Sequence, residues 1–332
     1  MSKEIKVGIN YFSGWWRQEP NKYFVAGRDW RHEFAERIPL LGCYNDAETM
    51  DAEICAAADY GVDFFQILWY VEKPERHALG SRLNDGLRHF INSPQAHRMS
   101  FCIEFCNHPP FEIPDESQWR ECCAFWADIM LHPSYLRLDG KAVIKIHGYD
   151  YFKAQCQTLE KYCKFIDILR ETAAKAGAGE LLIGVGATSM SPPPLSDEPF
   201  YSKIDWAGTY MWVPDLPITE ELYPYETLLG GAEGFASGWK NSPLPYVPYI
   251  PSGWDPRPWK DARASFENPS REQFKAALLK VKYALENYPA LNINGSKMFT
   301  MYAWNEFGEG GYIAPTVGEG YAKLEMIKNV FG

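Results

Sequence analysis

Two glutamates three residues apart, Glu306 and Glu309, close the run Met298-Phe-Thr-Met-Tyr-Ala-Trp-Asn305-Glu306-Phe307-Gly308-Glu309-Gly310-Gly311-Tyr312. The run starts as an apolar and aromatic strand and breaks into a polar, glycine-rich loop. Carboxylates in such a pair suit acid–base work at a glycosidic bond. That reaction needs a proton for the departing oxygen and a negative group to support positive charge at the anomeric carbon. Glycine just beyond the acids lets the backbone turn sharply or approach a ligand closely. A solvated loop carrying two acids has the same pattern, so spacing alone leaves both readings open.

Further candidates gather at the ends of other apolar runs. The first run ends in Tyr11 and Trp15, the second in Trp69 and Tyr70, the third in Glu104 and Asn107. His147 follows the fourth and Tyr210 and Trp212 the sixth; the seventh leads into Trp254-Asp255-Pro-Arg257. The eighth adds Asn305 and Tyr312 to the two glutamates. Flat rings cover sugar faces while amides and acids bind hydroxyls, so these residues read as the lining of a carbohydrate cleft. Each has a plainer reading. A single aromatic is more often core packing, a lone His more often a structural hydrogen bonder, and Asp255 with Arg257 could be an ion pair that stiffens its loop. Glu104 sits inside an apolar strand, where a charge is costly unless it has a partner. It either faces a barrel mouth and binds substrate or is satisfied structurally. No His-Glu-x-x-His or comparable cluster points to a metal, and no cofactor motif is present.

The elements that must position these residues alternate. Extended runs fall at about 5–12, 62–71, 98–106, 141–149, 180–188, 204–212, 245–252 and 297–304. Helical patterns fall at about 46–60, 82–92, 116–131, 154–176, 223–240, 270–288 and 318–331, with Asp46 as N-cap and Gly61 as terminator of the first and Gly177 ending the fourth. Eight strand–helix alternations predict an α/β fold, a (β/α)8 TIM barrel with long βα loops, in one domain over residues 1–332. A doubly wound open sheet is the alternative, but Gly184-Val-Gly186 lacks the rest of a nucleotide fingerprint. The strand-to-helix segments 13–45, 106–115, 189–203, 213–222 and 253–269 are long and polar, and in a barrel all rise on the catalytic face.

Composition narrows the partners. The formal charge of −10, without a basic run, argues against nucleic acid, and no apolar run reaches membrane length. Aromatics make up 15% of the 332 residues, a content that suits sugar binding. The eight cysteines form no C-x-x-C pair and read as reduced thiols. With no signal peptide before the first strand the chain reads as cytoplasmic as written, or as periplasmic or secreted if a leader has been removed. Oligomeric state is not legible.

The Trp304–Tyr312 stretch, continuing Ile-Ala-Pro, resembles the signature of glycoside hydrolase family 99 and its WbsX-like relatives, which carry Asn-Glu-Trp-x-Glu-Gly and then an apolar residue, Glu and Pro. Tyr60–Tyr70, Phe101–Asn107, Leu138–Ile146 and Trp254-Asp255 with Arg257 resemble other family segments in the same order. The resemblance implies a (β/α)8 barrel and a metal-independent retaining glycosidase acting on an α-linked oligo- or polysaccharide, mannosyl in the characterised members of family 99. By it Glu306 would take the proton of a sugar 2-hydroxyl, which closes on the anomeric carbon as an anhydro sugar. Glu309 would be the acid/base. The chain departs from the pattern at Ala314, Phe307 and Ala142, where Glu, Trp and Pro are usual. A non-hydrolytic carbohydrate binder or a polysaccharide-biosynthesis protein of glycosyltransferase type is the alternative function.

Overall fold

The computed structural model describes residues 4–71, 82–192 and 198–332. Residues 1–3 of the N-terminal segment and 193–197 of the expected 189–203 loop lie outside the described residues. Nine parallel strands form the central sheet: β1 Ile5–Tyr11, β2 Phe64–Trp69, β3 Ser100–Phe105, β4 Lys141–Ile146, β5 Leu181–Gly186, β6 Trp206–Gly208, β7 Tyr246–Val247, β8 Tyr249–Pro251 and β9 Lys297–Tyr302. They pair in chain order from β1 to β7, and β9 lies between β8 and β1. Nine strands answer to eight expected runs because the seventh run is split at Pro248. A proline has no N–H to give a ladder. The half before it, β7, pairs with β6, and the half after it, β8, pairs with β9. The barrel is thus nearly closed across one divided segment.

Nine helices accompany the strands among the described residues. They are α1 Ala47–Asp59, α2 Asp85–Asn92, α3 Glu116–Ile129, α4 Tyr149–Cys156, α5 Leu159–Ala176, α6 Glu198–Tyr201, α7 Tyr225–Trp239, α8 Arg271–Asn287 and α9 Ala322–Phe331. Their starts follow local chemistry. The Asp46 carboxylate accepts from Thr49 N at the head of α1, and Ser270 with Gln273 forms a capping box on α8. The helix expected at 154–176 is two, because Gln157 takes a positive φ of 64° and breaks it. The long βα loops also hold small antiparallel hairpins, at Phe24–Val25 with Arg28–Asp29 and at Asn305–Glu306 with Gly311–Tyr312.

The parallel register shows which residues share the inner face. Asn10 pairs with Gln66, Glu104 with Lys145, Lys145 with Gly184, and Gly184 with Trp206. Low in the barrel this face is filled by rings: a Cβ on Gly184 would lie 2.2 Å from the Trp206 indole, so only glycine leaves that ring its place. Above it, strands β1 to β4 carry a layer of polar side chains, Asn10, Gln66, Glu104 and Lys145, all buried. All eight cysteines are free, and no described helix is long and apolar enough to cross a membrane.

Candidate active site

The two glutamates sit on a tight hairpin beyond β9 rather than on an open loop. Asn305 pairs with Tyr312 and Glu306 with Gly311, and the turn Phe307–Glu309 is one 3-10 turn closed by Gly310. Gly310 has φ +76°, and a Cβ there would lie 2.6 Å from Asp255 N. Neighbouring loops hold the hairpin. The Asn305 side chain brackets the Phe12 backbone, accepting from its N–H at 2.9 Å and donating to its carbonyl at 2.8 Å. Trp15 Nε1 donates to the Asn305 carbonyl, and Asp255 N donates to the Glu309 carbonyl at 2.6 Å.

Each carboxylate is held by a tyrosine. Tyr210 Oη donates to Glu306 Oε1 at 2.8 Å, while Tyr302 Oη donates to Glu309 Oε2. Glu306 Oε2 is buried without a protein partner. Arg263 Nη2 lies 3.5 Å from Glu309 Oε1, and its guanidinium rests 4.3 Å from the Trp254 ring centre. Burial raises the pKa of both carboxyls; repulsion from Glu309 raises Glu306 further, whereas Tyr302 and Arg263 restrain Glu309. The two titrate as one unit that keeps a proton to higher pH than an ordinary carboxylate.

A cleft of about 620 Å³ opens over these groups, lined by residues including His108, His147, Tyr210, Trp212, Trp254, Arg263, Tyr302 and Glu309. Glu306 is not on the lining but is bonded to Tyr210, which is. Of the residues singled out in the sequence, His147, Tyr210, Trp212, Trp254 and Glu309 therefore face one cleft.

The others sit elsewhere. Tyr11 is fully buried, donating to Glu53 at 2.7 Å and accepting from Asn45. Trp15 packs against Tyr23 and Phe307, and Trp69 against Trp126. Tyr70 is buried beside Phe111, its backbone clamped by Asn84. Asn107 staples Gly148 by a pair of hydrogen bonds, and Tyr312 Oη accepts from Asn268. Asp255 is buried in an ion pair with Arg37 and a two-point contact to Arg257, at 2.7 and 2.8 Å. Burial would raise its carboxyl, but the two arginines hold it below the usual range. Glu104 is fully buried between Lys145 Nζ at 3.0 Å and His147 Nδ1 at 2.8 Å, with Gln66 donating at 2.6 Å. Burial again pushes up, but Lys145 and then His147 hold it at about 2.

Sequence reasoning missed Tyr302, Arg263 and Arg37. Tyr302 was legible in principle, since alternation along β9 puts it on the same face as Thr300, which pairs with Gly8. Arg37 had no local signal: it meets Asp255 across 218 residues of chain. The departures from the family pattern lie off the cleft. Phe307 packs on Trp15 and Tyr312, and Ala142 N donates to the Glu180 carbonyl, a bond proline could not make. Among the described residues no three His, Cys, Asp or Glu side chains cluster as a metal site would require.

A protein-family model described as glycosyltransferase WbsX matches residues 36–327. No curated protein matches the chain. Among solved structures, the GH99 endo-alpha-mannosidase from Bacteroides thetaiotaomicron superposes with a TM-score of 0.63 at 16% identity, over 98% of this chain and 95% of that one. Its complex with bis-tris propane gives 0.61 at 17% identity and the same coverage. A GH5_18 protein from Bifidobacterium longum, solved with Manb1-4GlcNAc, gives 0.55 at 14% identity over 98% and 77%. At these identities the likeness establishes the fold alone, a TIM barrel.

Proposed function

This chain belongs to the WbsX glycosyltransferase family, and from that membership and its cleft we propose that it is a retaining glycoside hydrolase acting on an α-linked, mannosyl-type oligo- or polysaccharide. The observation that carries the reading is the pair Glu306 and Glu309: two buried carboxyls on one hairpin, each bonded to a tyrosine of the cleft wall. Compensating cation charge is slight: Arg263 at 3.5 Å from Glu309 and the field of Lys22. Such a pair can exchange a proton, which a fully neutralised carboxylate cannot. The resemblance to GH99 endo-alpha-mannosidases supports the substrate class.

In this mechanism the sugar stacks on the aromatic wall with its 2-hydroxyl toward Glu306. Glu306 takes the hydroxyl proton as that oxygen attacks the anomeric carbon. Glu309 gives its proton to the departing oxygen, so the C–O bond breaks with charge balanced. Glu309 then deprotonates a water that opens the anhydro sugar, while Glu306 returns its proton to the 2-oxygen. Two displacements at one carbon retain configuration. When the bond breaks Glu309 must carry the shared proton and Glu306 must be ionised, and a 2-hydroxyl donating to Glu306 favours that arrangement.

The test is release of reducing ends from α-mannosyl oligosaccharides, with the first-formed anomer identified by NMR. Retention is expected, with turnover in Glu309→Gln reduced by about a thousandfold. Inversion, or unchanged turnover in that variant, rejects the mechanism. The family description favours one second reading, sugar transfer. It requires consumption of an activated sugar donor without reducing ends appearing.

A further inference from the structure

Three rings form a continuous wall of the cleft: His147, Tyr210 and Tyr302. His147 and Tyr210 centroids are 5.0 Å apart and Tyr210 and Tyr302 5.2 Å apart, both edge-on. They come from the ends of β4, β6 and β9, alternate staves of the barrel once the divided seventh is counted as one. Each ring is bonded to a carboxylate: Tyr210 to Glu306, Tyr302 to Glu309 and His147 to Glu104. Two of those carboxylates belong to the reactive pair. The third, Glu104, is fully buried and cannot touch a ligand.

Glu104 can act only through His147. Its Oε1 accepts from both Lys145 Nζ and His147 Nδ1, and its Oε2 accepts from Gln66, whose amide also donates to Asn10. An ionised carboxylate only accepts, so the neutral imidazole beside it must carry its proton on Nδ1. The other nitrogen, Nε2, is then a bare acceptor on a ring that lines the cleft. A buried charge pair of this kind is a costly way to fill a barrel, since apolar residues of similar volume are often at least as stable. Its position under a cleft-facing ring gives it a purpose.

We propose that His147 is a hydroxyl-contacting residue of the cleft, and that Glu104 and Lys145 are positioning residues which fix its tautomer and present Nε2 to the sugar. This rests on the reading of the cleft as a sugar site, but its first test does not. In the full-length protein labelled with 15N-histidine, with His147→Gln used to assign the signal, the neutral His147 ring shows Nδ1 protonated and Nε2 bare. In the charge-balanced variant Glu104→Gln with Lys145→Met that preference is lost. An Nε2-protonated ring in the wild type, or an unchanged ring in the double variant, overturns the positioning role.

The second test separates the two ring nitrogens. A glutamine places an acceptor near the Nε2 position and an asparagine near Nδ1. With an α-mannosyl oligosaccharide as substrate, His147→Asn should lose about tenfold in kcat/KM, carried by KM, and His147→Gln less than about threefold. Equal losses in both variants, or a loss in kcat alone, reject the sugar contact. If no α-mannoside is turned over, the proposed function fails while the tautomer result still decides the role of Glu104.

Discussion

Glu104 and Glu306 are both buried carboxylates at the cleft end of one barrel, yet their surroundings push them in opposite directions. Burial pushes Glu104 up, but Lys145 at 3.0 Å and His147 together outweigh it and hold the carboxyl at about 2. Glu306 has a tyrosine hydroxyl, an unpartnered Oε2 and a neighbouring glutamate, so burial wins and the carboxyl rises. On the proposed function, the difference separates holding from reacting. A carboxylate beside a buried ammonium is a fixed charge that can orient a neighbour. One with little cation charge beside it keeps its proton to higher pH than an ordinary carboxylate, a condition for giving that proton and taking it back. Asp255, between Arg37 and Arg257, belongs with Glu104 in this respect.

The sharpest way to break this contrast is Glu309→Gln. Turnover should fall by about a thousandfold, roughly 4 kcal/mol in the barrier, with no loss in melting temperature because the variant removes repulsion from Glu306. A large drop in stability would place Glu309 with the structural acids. Next comes Glu104→Leu, which strands the Lys145 ammonium and should cost more than about 3 kcal/mol in denaturant unfolding. Adding Lys145→Met should restore most of that. A double variant as unstable as the single one would deny the pairing.

The pH dependence of unfolding sharpens the comparison through its sign. Glu104 is lowered from 4.5 to about 2, so its contribution is complete above pH 4.5 and is lost as pH falls toward 2. That loss is about 3 kcal/mol. Glu53, buried under Tyr11, behaves oppositely: burial raises it from 4.5 to about 7, so stability is lost as pH rises through that window. Glu53→Gln should reduce the loss on rising pH, leaving the share carried by Glu306 and Glu309, and leave the acid loss intact; the reverse would refute both assignments. The smallest effect is expected of Tyr210→Phe. Without its donor Glu306 rises further, and the acid limb of the pH–rate profile should move to higher pH while the alkaline limb stays. An unmoved acid limb would mean that the Tyr210 bond does not tune Glu306.

The fold was legible because its signals are local and repeated. Asp46 heads α1 and Gly177 ends α5 at the expected positions, since capping chemistry acts within a few residues. The division of the seventh strand was not read, although Pro248 is its cause, because a proline's cost depends on which neighbour its missing N–H would have faced. The site was half legible. Trp304–Tyr312 announces a turn with two acids, and His147, Tyr210, Trp212 and Trp254 could be named from their places at strand ends. Buried Tyr11, Trp15 and Trp69 look the same in sequence, and only packing distinguishes a ring in the wall from a ring in the core.

By itself the sequence determined the alternation of strands and helices, a glycine-rich turn carrying Glu306 and Glu309 after the last strand, and the lack of a basic run. It could not say which carboxyls carry a movable proton. That was decided by tertiary structure, which brings Lys145 to Glu104 and Arg37 to Asp255 while leaving Glu306 with a tyrosine. The physical reason is that a carboxyl's proton affinity is set by the charges and solvent within a few ångströms, and those come from residues far away along the chain.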